Sequence, residues 1–219
     1  MSFECSTIRD VFSRFDRVKT WYFFSGWAMD EAIFSFWELP ELTIIYVPYT
    51  GRDTVNALAE KMIKEDCRDI GILGFSLGGF LGVSLAHLVP DRVAGMVLMG
   101  ICQGYSLENI EKISLLLKRS QAAYLRAFYE RCFLESEIKT RFFSELFSRY
   151  VIQDCEGLLQ SLVHLGSFRL DLDQLKFSFP MVILHGSEDQ IAPIAESSAL
   201  AFVLGVDFFE IKGGHFLVF

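Results

Sequence analysis

The sequence lacks most of what would place a chain in a membrane, on nucleic acid or around a metal. No run approaches the roughly 18 uninterrupted apolar residues that a spanning helix needs. Positive charge is scarce: 20 Lys and Arg stand against 28 Asp and Glu. The resulting net charge of −8 argues against nucleic-acid binding, which needs a basic face. The five cysteines (Cys5, Cys67, Cys102, Cys132 and Cys155) are odd in number and scattered, with no C-x-x-C pair. That pattern speaks against a zinc site and fits reduced thiols in a cytoplasmic protein. The opening MSFECSTIRDVFSRFDRVKT carries both signs of charge where a secretory signal needs an apolar stretch, so a cytoplasmic location is expected.

What is present is a heavy apolar load. Of 219 residues, 52% are hydrophobic and 15% aromatic, with 22 Phe. This is enough for a sizeable core in one domain, or in one domain with an insertion. Short apolar runs alternate with helical patterns. TWYFF (20–24), LTIIYV (42–47), IGILGF (70–75), VAGMVLM (93–99), MVILH (181–185) and VDFFEI (206–211) read as strands. Residues 53–65, behind an Asp53 cap and with Val55, Leu58, Met62 and Ile63 at helical spacing, read as a helix, as do 77–89 and 192–204. IRDVFSRFDRV, near the start, is more helical than extended in pattern.

Buried strands interleaved with helices predict an α/β fold: a mostly parallel sheet with helices on both faces. Residues 103–168 break the rhythm with several amphipathic helices and no convincing strand. The expected organisation is therefore a core of 1–102 and 169–219 interrupted by a helical lid of 103–168.

GILGFSLGGF (71–80) strips side chains away around one hydroxyl. Gly74-Phe75-Ser76-Leu77-Gly78 matches G-x-S-x-G between an apolar strand and an apolar helix. Such a turn forces the serine into a strained conformation and raises its hydroxyl above the sheet. A serine needs a base to become a nucleophile. Of the four histidines, His87 lies near a helix end, His164 lacks acidic or glycine context, and His185 ends a strand in a structural setting. His215, in IKGGHF after the last strand, is the candidate base. Asp189, in HGSEDQIAP, is the candidate to orient the imidazole, with Glu188 one position away as the alternative. The oxyanion donors expected are the backbone amides of Leu77 and of Trp27, in the FFSGWAMD turn.

The chain order Ser76, Asp189, His215, with Ser25-Gly26-Trp27, GFSLGG, HGSED and GGH, resembles the α/β-hydrolases from about residue 20 onward. Within them it is most similar to the small carboxylesterases of biotin synthesis, which act on the methyl ester of pimeloyl-acyl-carrier protein. Gly26-Trp27, SLGG, PDRVAGMVLM and YERCFLE carry that likeness. The resemblance implies a cytoplasmic serine carboxylesterase, expected to be a monomer, with no metal or other cofactor. A general short-chain esterase or thioesterase is the alternative, and a non-catalytic binding protein on the same shell is a third.

Two departures stand out: Ser25 where such proteins have His, and only four residues after His215 where they continue into a helix. An acidic carrier protein needs a basic docking face, and residues 110–150 hold eight Lys and Arg against five Glu. Arg126 and Arg131 are the expected carrier contacts, balanced against the plainer reading of a solvated helical surface. Phe128, Phe142 and Phe143 are expected to line an acyl channel together with Trp27 and Leu77.

Overall fold

The computed structural model describes residues 8–37, 39, 41–138, 141–150, 154–170 and 175–218. Its centre is a six-stranded sheet: β1 (Thr20–Phe24), β2 (Thr43–Val47), β3 (Ile70–Phe75), β4 (Val93–Met99), β5 (Met181–Gly186) and β6 (Asp207–Ile211), in the order β2-β1-β3-β4-β5-β6. Every pairing is parallel. The inner strands β3 and β5 are buried along their whole length, which is why they read as unbroken apolar runs. β2, at one edge, exposes Ile45 and Tyr46.

Helices cover both faces. α2 (Thr54–Lys64), α3 (Leu77–Leu88) and α9 (Ile194–Leu204) lie on one side, with α3 against β3 and α9 against β5 and β6. On the other side α1 (Ile8–Phe12) and the turn after it drive Phe12 and Phe15 edge-on into Trp21. A 3-10 turn at Glu31–Phe36 adds Phe34, which packs with Phe23, Trp37 and Phe216.

One local expectation fails. Asp53 precedes α2 but accepts no capping hydrogen bond. Thr54 closes the turn instead, its hydroxyl accepting from the Thr50 N–H at 2.9 Å and donating to the Gly51 carbonyl at 2.7 Å. On the same helix Val55 and Met62 are buried, whereas Ile63 points to solvent.

Between β4 and β5 the chain leaves the sheet and forms α4 (Leu107–Arg119), α5 (Gln121–Cys132), α6 (Glu135–Ile138), α7 (Arg141–Tyr150) and α8 (Cys155–Ser167). Its two ends meet: Gly104 and Arg169 form an antiparallel bridge, and the Leu170 N–H donates to the Gln103 carbonyl at 2.8 Å. The helices are fastened to the loops at the carboxyl ends of the strands. The Trp27 indole donates to the Leu158 carbonyl (3.0 Å), and the Tyr129 hydroxyl to the Ala28 carbonyl (2.6 Å). Tyr150 and Arg149 both bind the Asp30 carboxylate. No helix among the described residues is long and apolar enough to cross a membrane.

Candidate active site

The chemistry-bearing residues collect at the carboxyl edge of the sheet, each on the loop that follows a strand. This is where open α/β sheets bind ligands. Ser76 sits between β3 and α3 with φ 52° and ψ −116°, a conformation that costs a non-glycine residue about 1–3 kcal/mol. The surroundings hold it there. Its N–H donates to the Met99 carbonyl on β4 (2.9 Å), and its carbonyl accepts from the Gly79 N–H (2.8 Å). A Cβ on Gly78 would collide with the Phe24 carbonyl, and one on Gly74 would stand 2.6 Å from the Gly78 oxygen. The glycines therefore answer a packing demand: strand and helix touch backbone to backbone.

The Leu77 N–H opens α3, so it belongs to the first turn of amides that have no partner within the helix. The facing loop brings Gly26 so close that a Cβ there would lie 3.4 Å from the Ser76 Cβ. Trp27 follows, its indole turned away toward α8 and toward Phe128, 5.2 Å between ring centroids. Ser25, which replaces the expected histidine, braces this loop by donating to the Met29 carbonyl at 2.9 Å.

Asp189 and His215 are brought together. The His215 Nδ1 lies 2.7 Å from the Asp189 Oδ2, with both side chains almost wholly out of solvent. The other Asp189 oxygen accepts from the Ile191 and Ala192 N–H groups at 2.7 and 2.9 Å. Burial acts to raise the Asp189 carboxyl, but hydrogen bonds from His185, His215 and Ala192 outweigh it and hold the group well below the usual carboxylate range. Glu188, its neighbour, is exposed to solvent.

His215 is firmly seated despite the short sequence after it. Its ring lies 4.9 Å from that of Phe75, the residue before Ser76, and the next residue, Phe216, is buried with its N–H on the Cys132 carbonyl (3.0 Å). The remaining ring nitrogen, Nε2, is buried and, among the described residues, has no hydrogen-bond partner, the Ser76 hydroxyl included. A basic lone pair in that position is available to take a proton.

Sequence reasoning missed two neighbours of this site. Tyr105, on the loop after β4, is partly buried and packs against the core close to Cys102. Burial, together with the Cys102 thiol, pushes the phenol well above its ordinary value, which keeps it a neutral donor. Burial likewise pushes the Cys102 thiol up to about 11. His185 is the second: its Nε2 lies 3.0 Å from the Asp189 Oδ2. The spacing of four residues in HGSEDQIAP was the available signal; only the fold shows both side chains turning inward. His87 and His164 stand apart, His87 exposed against Phe177 and His164 bonded to the Tyr49 hydroxyl at 2.9 Å.

A cavity of about 510 Å³ opens beside Leu77. Gly26, Trp27, Tyr46, Tyr49 and Leu158 are among its apolar lining residues, and Asp30, Glu31 and Asp154 among its acidic ones. Of the expected channel residues, Trp27 and Leu77 line this cavity. Phe128 does not; it is buried against Trp27 and Tyr129. The side chains of Phe142 and Phe143 lie outside the described residues. Arg126 is exposed on α5. Arg131, also exposed, is spent on the fold: its guanidinium donates to the Gln190 carbonyl at 2.6 Å, next to Asp189. Among the described residues no group of three His, Cys, Asp or Glu is arranged to hold a metal ion.

No protein-family model and no curated protein matches this sequence. Solved structures do resemble it. An esterase from Exiguobacterium antarcticum superposes with a TM-score of 0.73 at 16% identity, over 90% of this chain and 85% of the other. A bromoperoxidase from Bacillus anthracis gives 0.75 at 17% identity, over 90% and 85%. An enol-lactonase from Burkholderia xenovorans LB400 gives 0.73 at 18% identity, over 90% and 84%. The chain has the α/β-hydrolase fold.

Proposed function

We infer that the protein is a serine hydrolase of carboxylic esters. The observation that carries this reading is the state of His215: Nδ1 is committed to the Asp189 carboxylate, Nε2 is buried without a hydrogen-bond partner among the described residues, and the ring lies 4.9 Å from that of Phe75, the residue before the strained Ser76. In this mechanism the Ser76 Oγ attacks the ester carbonyl while the His215 Nε2 takes its proton. Asp189 holds the ring and stabilises the imidazolium that forms. The Leu77 and Trp27 amides receive the charge on the tetrahedral oxygen. His215 then returns the proton to the departing alcohol, and water attacks the acyl-enzyme by the same route in reverse.

The fold supports the class of reaction, since an esterase and an enol-lactonase share it. The cavity supports the kind of substrate. It borders the proposed oxyanion loop and has an aromatic wall. Neutral esters with small to medium apolar acyl groups fit it best.

A narrower reading, the methyl ester of pimeloyl-acyl-carrier protein in biotin synthesis, is favoured by surface charge. Lys112, Lys118, Arg119 and Arg126 are exposed on α4 and α5, as an acidic carrier would require. Arg131 is a weaker contact than its charge suggests, because its guanidinium already serves the Gln190 loop.

A fluorophosphonate probe tests the class directly: it should label the native chain and fail to label Ser76→Ala. No labelling of the native chain would remove the hydrolase reading. A panel of p-nitrophenyl esters beside methyl pimeloyl-carrier protein tests the substrate. Turnover of the carrier-linked ester that neither exceeds the free esters nor falls in Arg126→Glu removes the narrower reading.

A further inference from the structure

The Asp189 carboxylate is shared by two imidazoles, and the mechanism above uses only one. The other belongs to His185, which is entirely buried at the end of β5. Its ring has three polar neighbours. Nδ1 lies 2.7 Å from the Ser197 Oγ on α9, while Nε2 lies 3.0 Å from the Asp189 Oδ2 and 3.1 Å from the Ala192 carbonyl.

Counting hydrogens decides what His185 carries. The Ser197 hydroxyl has one proton, and its oxygen stands 2.5 Å from the Ile101 carbonyl, which can only accept. The proton must lie between those two oxygens. Ser197 is then an acceptor toward His185, so Nδ1 carries a hydrogen. At Nε2 both neighbours, a carboxylate and a carbonyl, are acceptors as well. A neutral ring would aim a lone pair at two lone pairs, inside a protein interior where such a mismatch costs most. Exchanging the tautomer moves the conflict without removing it: Ser197 would have to donate to Nδ1 and leave its oxygen pressed against the Ile101 carbonyl. Only the doubly protonated ring satisfies every partner.

The charges around the ring agree. Asp189 faces it from its own loop. Glu196 adjoins Ser197 on α9 and accepts from the Gln103 N–H at 2.8 Å, and Glu210 is the register partner of His185 on β6. From the β4 side the Ile101 carbonyl faces Ser197. The nearby cation, Arg131, is held on the Gln190 carbonyl at the solvent side. The neighbouring Tyr105 and Cys102 are pushed upward by burial and stay uncharged.

We propose that His185 is a positioning residue carrying a proton on each ring nitrogen: as a buried imidazolium it balances the Asp189 carboxylate and keeps His215 an uncharged base. The proposal rests on the hydrolase reading for its consequence, though not for the protonation itself. Both rings approach the same Asp189 oxygen, at 3.0 and 2.7 Å. Two like charges that share one carboxylate oxygen disfavour each other. A fixed charge on His185 therefore opposes protonation of His215, and the base stays ready at lower pH.

The decisive experiment is ring-nitrogen NMR on the native, 15N-labelled chain at pH 7.5, with His185 assigned by the signal lost in His185→Gln. Two protonated-type nitrogen shifts for His185 are expected; one protonated and one bare nitrogen overturns the proposal, whether or not any ester is hydrolysed. The second measurement is the pH profile of p-nitrophenyl ester hydrolysis. His185→Gln, which keeps a donor but loses the charge, should move the acid limb upward by about one pH unit or more. A uniform loss with the limb unmoved would reduce His185 to a packing residue. If no ester is turned over, the hydrolase reading fails and the spectrum still decides the charge. If the variant does not fold, His185 is assigned from the native protein by its contact with Ser197.

Discussion

The sheet and the helical segment between β4 and β5 obey different constraints. In the four inner strands of the sheet, nearly every position is buried against a neighbour. Gly71 is small because the Trp21 ring lies over it, and Gly95 because the Phe15 ring does. In the helical segment the outward faces carry residues such as Leu107 and Leu115, exposed at 65% and 70%, that nothing in the chain requires. The sheet sets where Ser76, Asp189 and His215 stand. The helices attach to it at a few polar points, through Trp27, Ala28, Asp30 and Gln190, and bound the cavity. Precision and tolerance are thus segregated within one chain.

That contrast can be broken or sharpened by substitution, beginning with the largest effect. Ser76→Ala should lower ester turnover by roughly a thousandfold or more, and Asp189→Asn by a comparable factor, measured as kcat/KM. Next comes Gly186→Ala at the end of β5, where a Cβ would run into the Gly214 carbonyl. Because both partners are backbone, it should lose about 3 kcal/mol or more in denaturant melts, or fail to fold. An unchanged melt would show the sheet edge to be as forgiving as the helices.

The pH dependence of stability gives a further contrast. The Asp189 carboxyl is depressed in the folded chain, so its contribution is present above the unfolded value, about 3.9, and is lost only as pH falls through the lower folded value. The stability gap between native protein and Asp189→Asn should stay constant from neutral pH down to about pH 5 and close below pH 4. The helical segment should respond least. Trp27→Phe, which strands the Leu158 carbonyl, should cost about 1–2 kcal/mol, and Leu115→Lys should stay within about 0.5 kcal/mol.

The same division explains what could be read from the sequence. β1, β3 and β4 match their apolar runs residue for residue, because a strand buried on both faces leaves no room for polar interruption. The strained turn at Ser76 and the pairing of Asp189 with His215 were legible because the elbow has a glycine signature and the other two follow strands. Asp53 misled because an acidic residue before a helix looks like a cap whether or not its side chain turns inward. His185 left only a faint trace, since its importance lies in its approach to Asp189, which the spacing of four residues indicates only obliquely. For 103–168, periodicity identified amphipathic helices but not their partners. It showed that Arg131 would be on a surface, not that it would clasp the Gln190 carbonyl.

The bridge between Gly104 and Arg169 has one more consequence. An excursion that departs and returns through a single pair of neighbouring residues behaves like a plug-in module: exchanging it for a longer, shorter or differently charged version need not stretch either strand it hangs from. The segment can thus be exchanged at that neck while the underlying scaffold keeps its shape.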